Sequence, residues 1–189
     1  LRDSTGVVPR LDAEPYLLRR LAGIRESVGS NLAPLVELLF VICSETLISA
    51  TLAEVPDDPD VVGAVKDVIR DHARDEGRHH VYFASFLRFL WAELDPALRR
   101  TAGRLVPRLI TAFLQPDLPA IRAELLGYGL ERDVVEAVLG EVYHPAAVAD
   151  HMRLAARKTV RYFEAIGALD DDVARAEFEK HQLLEDENT

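Results

Sequence analysis

Two segments of helical period stand back to back in this chain, and they limit its fold more than any other feature. From about Leu32 to Glu54 the residues are apolar on nearly every side of a helix, a pattern that belongs to the interior of a bundle. A tight polar turn, Val55-Pro56-Asp57-Asp58-Pro59-Asp60, follows. Beyond it the longest helical stretch runs from Val61 to about Leu94 and stops before Asp95-Pro96. So short a connection makes the two helices antiparallel neighbours.

The flanking sequence reads the same way. Asp12 caps a helix reaching about Val28, with Leu17, Leu18, Leu21 and Ile24 at three- and four-residue spacings. Ala97 to Leu114 is helical with Pro107 inside, where a kink is expected. A short helix ends near Gly127-Tyr128-Gly129, another covers Glu131 to Tyr143, and Pro145 opens one that continues to Ile166. Asp170 to Asp172 cap a last helix through Leu184. No β alternation and no repeat competes, so the expected fold is all-α: one helical domain over residues 1–189, with two long central helices and additional short C-terminal ones.

Composition narrows the function. Apolar residues make up 49% and charged ones 29%, which excludes a disordered chain. Acidic side chains outnumber basic ones by 32 to 22, a net charge of −10 that argues against a nucleic-acid surface. A single cysteine, Cys43, excludes a disulfide framework or a thiolate zinc site and suits a reducing cytoplasm. The longest apolar run, Leu38 to Cys43, is far short of the ~20 residues a membrane span needs, and no signal-peptide pattern is present.

The chemistry is concentrated in the long third helix. With His72 at zero on a helical wheel, Glu76 falls at about +40° and His79 at about −20°. Val65, Ile69, Phe83 and Phe86 extend the same stripe, so two imidazoles and a carboxylate interrupt an apolar face. A buried carboxylate needs a partner, and a metal ion suits both it and imidazole. On the preceding helix Glu45, flanked by Val41, Ile48 and Leu52, lies nearly level with His72 across the turn. A Glu-x-x-His unit with a glutamate from a neighbouring helix recurs in ferritin-like di-iron carboxylate bundles. Mixed oxygen and nitrogen ligands suit iron or manganese. The competing reading is a satisfied polar network inside an ordinary bundle.

Other residues carry less. Arg74, Asp75 and Arg78 lie at the edges of the stripe, and His80 at its margin. A second Glu-x-x-His, Glu141 to His144, is undercut by Pro145, which disfavours helical geometry at His144. His151 and Arg153 are candidates for a substrate-binding pocket wall; Glu37 reads as structural and Cys43 as core.

Ser44-Glu45-Thr46-Leu47-Ile48 followed by His72-x-x-x-Glu76-x-x-His79 resembles the second half of the p-aminobenzoate N-oxygenase family. The likeness runs on through Leu105-Val106-Pro107 and Gln115-Pro116-Asp117-Leu118 to Ala156-Arg157-Lys158 and Gly167-Ala168-Leu169-Asp170-Asp171. It implies a non-heme di-iron monooxygenase that uses O₂ and an electron donor to oxidise an aryl amine or similar small molecule in secondary metabolism. It also implies two iron ions, or manganese in their place, and a homodimer. Carried over by position, the metal ligands are Glu45, His72, Glu76 and His79, and no catalytic residue is implied beyond them. An acid-bearing amine needs a cation, for which Arg153 or Arg157 would serve.

The family's site takes three further ligands, a glutamate and another Glu-x-x-His, from two earlier helices. No histidine precedes Ser44 here. The expectation is that the N-terminal helices of the family are lacking from these residues, a reading that the initial Leu1 favours. The alternatives are a short relative keeping half a site, which would be a non-catalytic iron- or manganese-binding protein, and two chains that each supply one half.

Overall fold

The computed structural model of the chain describes residues 14–54 and 58–185, and among them eight helices and no strand. They are α1 (Tyr16–Glu26), α2 (Ala33–Glu54), α3 (Gly63–Glu93), α4 (Pro96–Leu114), α5 (Leu118–Gly127), α6 (Arg132–Val142), α7 (Pro145–Ala165) and α8 (Asp172–Lys180). The all-α expectation holds. Asp12, expected as the first cap, and residues 55–57 of the central turn lie outside the described residues; α1 opens after Pro15.

Helix α2 is the centre of the molecule. It packs on α3 and α4 and, less extensively, on α7 and α1. Val36, Leu39, Ile42, Cys43 and Leu47 on its core side are fully buried. Across from them lie Val106, Leu109 and Ile110 of α4 and Phe163 of α7. Complete burial of a phenylalanine such as Phe163 stabilises the fold by roughly 2–3 kcal/mol. Helices α5 and α6 pack mainly on each other, joined by a two-pronged ion pair from Arg122 to Glu136 at 2.6 and 3.0 Å.

Local chemistry sets the helix ends. Asp95, Asp117 and Asp171 cap α4, α5 and α8 by accepting from Leu98, Ala120 and Ala174 N–H groups. Helix α4 continues without a break through Pro107, which is buried and has no N–H to donate. Gly103 lets the turn after α7 come close: a Cβ there would sit 2.8 Å from the Ala168 carbonyl oxygen and 3.3 Å from Ala174 Cβ. The last helix stops at Lys180 rather than Leu184. Gln182 turns to a φ of 56°, and the Leu183 N–H folds back to the Phe178 carbonyl at 3.0 Å, which buries Leu183.

The long helix packs on a different face from the one its apolar stripe marks. The residues of α3 that are buried are Glu76, His80, Ala84, Leu87 and Trp91, an arc centred about 80° round from His72. Phe83 and Phe86 reach the core from the side, but Val65 and Val68 are 47% and 69% exposed. On α2 the side that bears Glu45 is likewise open: Val41 is 40% exposed, and Ile48 and Leu52 are half-buried. No described helix is long and apolar enough to cross a membrane.

Candidate metal centre

Antiparallel α2 and α3 bring Glu45 against Glu76 and His79, about one to two turns beyond the level with His72 expected from helical rise, and of these residues His72 reaches only Glu76. Donor atoms of Glu45, Glu76 and His79 all lie within 4.8 Å of one another. His79 Nδ1 is 3.3 Å from Glu45 Oε2 and 3.4 Å from Glu76 Oε2. The other oxygen of Glu76, Oε1, is 3.5 Å from His72 Nε2. Glu76 therefore spreads its carboxylate between two imidazoles, one on each oxygen.

The environment is graded. Glu76 is buried and Glu45 partly so, whereas the side chains of His72 and His79 are 53% and 54% exposed. The imidazoles thus stand at the edge of the packed face rather than in the core, because the buried arc of α3 is rotated away from them. Although His79 is within ion-pair range, its geometry satisfies no hydrogen bond. The buried Oε2 atoms of Glu45 and Glu76 are both left without a hydrogen-bond partner. Buried acceptors without donors are costly and uncommon, and a bound cation removes the cost. Carboxylates with two imidazoles and no thiolate form a donor set that fits iron or manganese.

Directly behind these residues is a polar network that sequence reasoning left aside. His80, marginal on the stripe, is buried, and its Nε2 lies 2.8 Å from Tyr162 Oη on α7. The two rings meet edge-on with centroids 5.4 Å apart. The imidazole also bonds the backbone of Thr46. Burial lowers the His80 pKa, with the nearby Lys158 charge adding to it and the Thr46 bond opposing. One turn earlier on α7, Thr159 Oγ1 donates to Thr46 Oγ1 at 3.0 Å, and Thr46 Oγ1 donates to the Ile42 carbonyl at 2.8 Å. Thr46 follows Glu45 and His80 follows His79, so these bonds set the rotation of α2 and α3 that brings Glu45 and His79 together. The signal available in the sequence was Thr46 itself, a polar residue set in the apolar run of α2.

The remaining candidates lie elsewhere. His151 is exposed near the start of α7, three turns before Tyr162, and does not join the carboxylate–imidazole group. Arg153 turns to another side of α7, pairs with Asp150 at 2.8 Å, and lines a cleft of about 580 Å³ with Arg157, Arg161 and Arg175. Arg157 itself is held by Glu185 at 2.7 Å. His144 caps α7, its Nδ1 accepting from Ala146 N–H, while Glu141 is exposed on α6. Glu37 pairs with Arg25 at 2.9 Å. Arg74 and Arg78 pair with Asp71 and Asp75 on the exposed side of α3. Cys43 is fully buried, which pushes its thiol pKa far up and leaves it unreactive.

The family model P-aminobenzoate N-oxygenase AurF matches residues 5–167. The chain belongs to this family. It is 29% identical over 166 residues to the 4-aminobenzoate N-oxygenase of Streptomyces thioluteus, an alignment covering 87% of this chain and 48% of that protein. The chain thus spans about half the length of this curated relative. No solved structure matches it significantly. The matched region contains all four ligands expected from sequence, Glu45, His72, Glu76 and His79, and the Thr46–Thr159 and His80–Tyr162 contacts that orient them.

Proposed function

We propose that this chain carries metal ligands of a non-heme di-iron oxygenase that uses O₂ to oxidise an amine, with aryl amines as the first class to try. The observation that carries this reading is the Glu76 carboxylate. It is buried, divided between His72 and His79, and set beside Glu45, in a chain of the aminobenzoate N-oxygenase family. Glu45 would bind metal through one carboxylate, Glu76 would reach two sites through its two oxygens, and His72 and His79 would act as neutral imidazole ligands. Iron held there would supply the O₂ chemistry, with electrons from a separate donor.

The chain's own residues do the holding and orienting. Thr46, Thr159, His80 and Tyr162 fix the two helices from the core side, so that the ligands need little reorganisation on metal entry. Val41 and Ile48, one turn to either side of Glu45 on α2, give its carboxylate apolar neighbours along the helix. The half-exposed imidazoles mean that the described residues shield the site on one side only.

The test is anaerobic loading with ferrous ion, followed by O₂, p-aminobenzoate and a chemical reductant, with N-oxygenated products read by mass spectrometry. Product from the native chain and none from Glu76→Ala supports the reading. Tight metal binding with no oxidation of any aryl amine would favour the non-catalytic metal-binding alternative.

A further inference from the structure

We propose that the arginine-lined cleft formed by α7, α8 and the turn after α8 binds a nucleotide, with its phosphates on arginines and its ribose on glutamates. This site is separate from the carboxylate–imidazole group and stands independently of the metal reading.

Charge is the first argument. Arg153, Arg157 and Arg161 stand at four-residue intervals along α7, and Arg175 of α8 lines the same cleft of about 580 Å³. On a helical wheel this ladder lies about 120–200° round from Thr159, the residue that bonds Thr46, so it faces away from the network behind the metal-ligand candidates. Like charges one turn apart on a helix repel. Acidic side chains outnumber basic ones by 32 to 22, so counter-charges are plentiful, yet the ladder is answered only in part. Asp150 holds Arg153 at 2.8 Å and Glu185 holds Arg157 at 2.7 Å. Among the described residues no carboxylate pairs with Arg161 or Arg175, both of which are exposed. Two guanidinium groups left over beside two that are paired call for an anion, and the planar fork of arginine matches phosphate through two hydrogen bonds at once.

The rest of the lining narrows the anion to a nucleotide. Glu164 and Glu179, one turn beyond Arg161 and Arg175, also line the cleft, and neither carboxylate has an ion-pair partner among the described residues. They would repel a bare anion, so a ligand that suits the whole cleft brings hydrogen-bond donors as well as phosphate. Ribose hydroxyls are such donors, and a carboxylate that accepts from them is a recurring way to hold the sugar of a nucleotide. The floor is apolar, with Val160 and Leu183 buried and Leu184 half-buried, which gives a base a surface to lie on. Gln182, at a φ of 56°, turns the chain so that Leu183, Leu184 and Glu185 form this wall. The volume falls within the roughly 300–1,000 Å³ of small-molecule sites, and the concavity favours a small ligand over a protein surface.

The experiment is isothermal titration calorimetry on the 189-residue chain, freed of divalent metal, with ADP, adenosine and inorganic pyrophosphate as probes. ADP is expected to bind once per chain. Adenosine and pyrophosphate, each lacking part of the contacts, should bind roughly tenfold more weakly or worse. The double variant Arg161→Gln with Arg175→Gln should weaken ADP by roughly tenfold or more. Glu179→Gln should weaken ADP but not pyrophosphate, a split that a general loss of structure would not produce. Arg132→Gln, exposed on α6 and outside the cleft, should bind ADP as the native chain does. All three positions in the cleft variants are exposed, so thermal melts by circular dichroism should match the native chain. A native chain that takes up no ADP would overturn the proposal. So would ADP binding that survives the double substitution, which would place the site elsewhere. Pyrophosphate bound as tightly as ADP, with no effect of Glu179→Gln, would reduce the cleft to a plain anion site and reject a nucleotide. None of these outcomes bears on the metal centre.

Discussion

Glu76→Met separates a metal ligand from a structural carboxylate, because the two roles predict opposite changes in stability. In the metal-free chain Glu76 is 7% exposed and its Oε2 has no hydrogen-bond partner. Leaving a buried acceptor unsatisfied costs about 1–3 kcal/mol, and more when it is charged. Methionine of similar length removes that cost and adds apolar burial worth ~0.8 kcal/mol per methylene. What is lost are the contacts to His72 and His79 at 3.5 and 3.4 Å, each with a half-exposed imidazole and worth at most about 1 kcal/mol. The net is a gain of roughly 1–3 kcal/mol, or roughly 3–10 °C in Tm for a chain of this size. Thermal melts by circular dichroism in excess chelator, at one fixed chain concentration, measure it. With metal at about a hundredfold its Kd the native chain gains ~2.7 kcal/mol and the variant nothing, so the order of melting closes or reverses. A variant that melts below the native chain in chelator would show Glu76 to be a satisfied structural residue. Equal stabilisation of both proteins by metal would refute its role as a ligand.

Four further outcomes are expected. Tyr162→Phe leaves the buried His80 Nε2 without its partner and should cost about 1–2 kcal/mol, seen as a lower denaturation midpoint with an unchanged slope. Gly103→Ala forces a methyl against the Ala168 carbonyl and should destabilise by about 1–3 kcal/mol in the same assay. Burial lowers the pKa of both His80 and His181 in the folded state, so their neutral forms favour folding. Stability is full above the unfolded value of about 6.5 and declines as pH falls below it; His181→Gln should flatten that decline in melts between pH 7.5 and 5. Cys43 should resist thiol reagents in the folded chain and react at once in denaturant, as read by mass spectrometry.

Period and turn chemistry made the helices legible. The uninterrupted apolar run of α2, the Asp-rich turn after it and the Asp95-Pro96 stop set the long antiparallel pair, and observed ends fall within about two residues of those expected for both helices. Helical rise and a short connection put Glu45 level with His72; in the structure its carboxylate lies instead against His79, about two turns further along α3. The last helix was misread because Leu183 and Leu184 continue its apolar spacing, while the turn at Gln182 that ends it is a backbone conformation without a sequence mark.

Which face of each helix is covered was a matter for the tertiary structure alone. Both α2 and α3 carry more apolar surface than one neighbour can bury, and periodicity cannot choose between two apolar arcs on the same helix. The choice is made by α7, whose Thr159 and Tyr162 take Thr46 and His80 as partners. That contact turns the His80 arc inward and leaves His72 and His79 at the edge. Residue types and spacing therefore singled out the candidate residues Glu45, His72, Glu76 and His79. Packing decided how far each is exposed, because side-chain hydrogen bonds between helices distant in sequence set the rotation that local pattern leaves free.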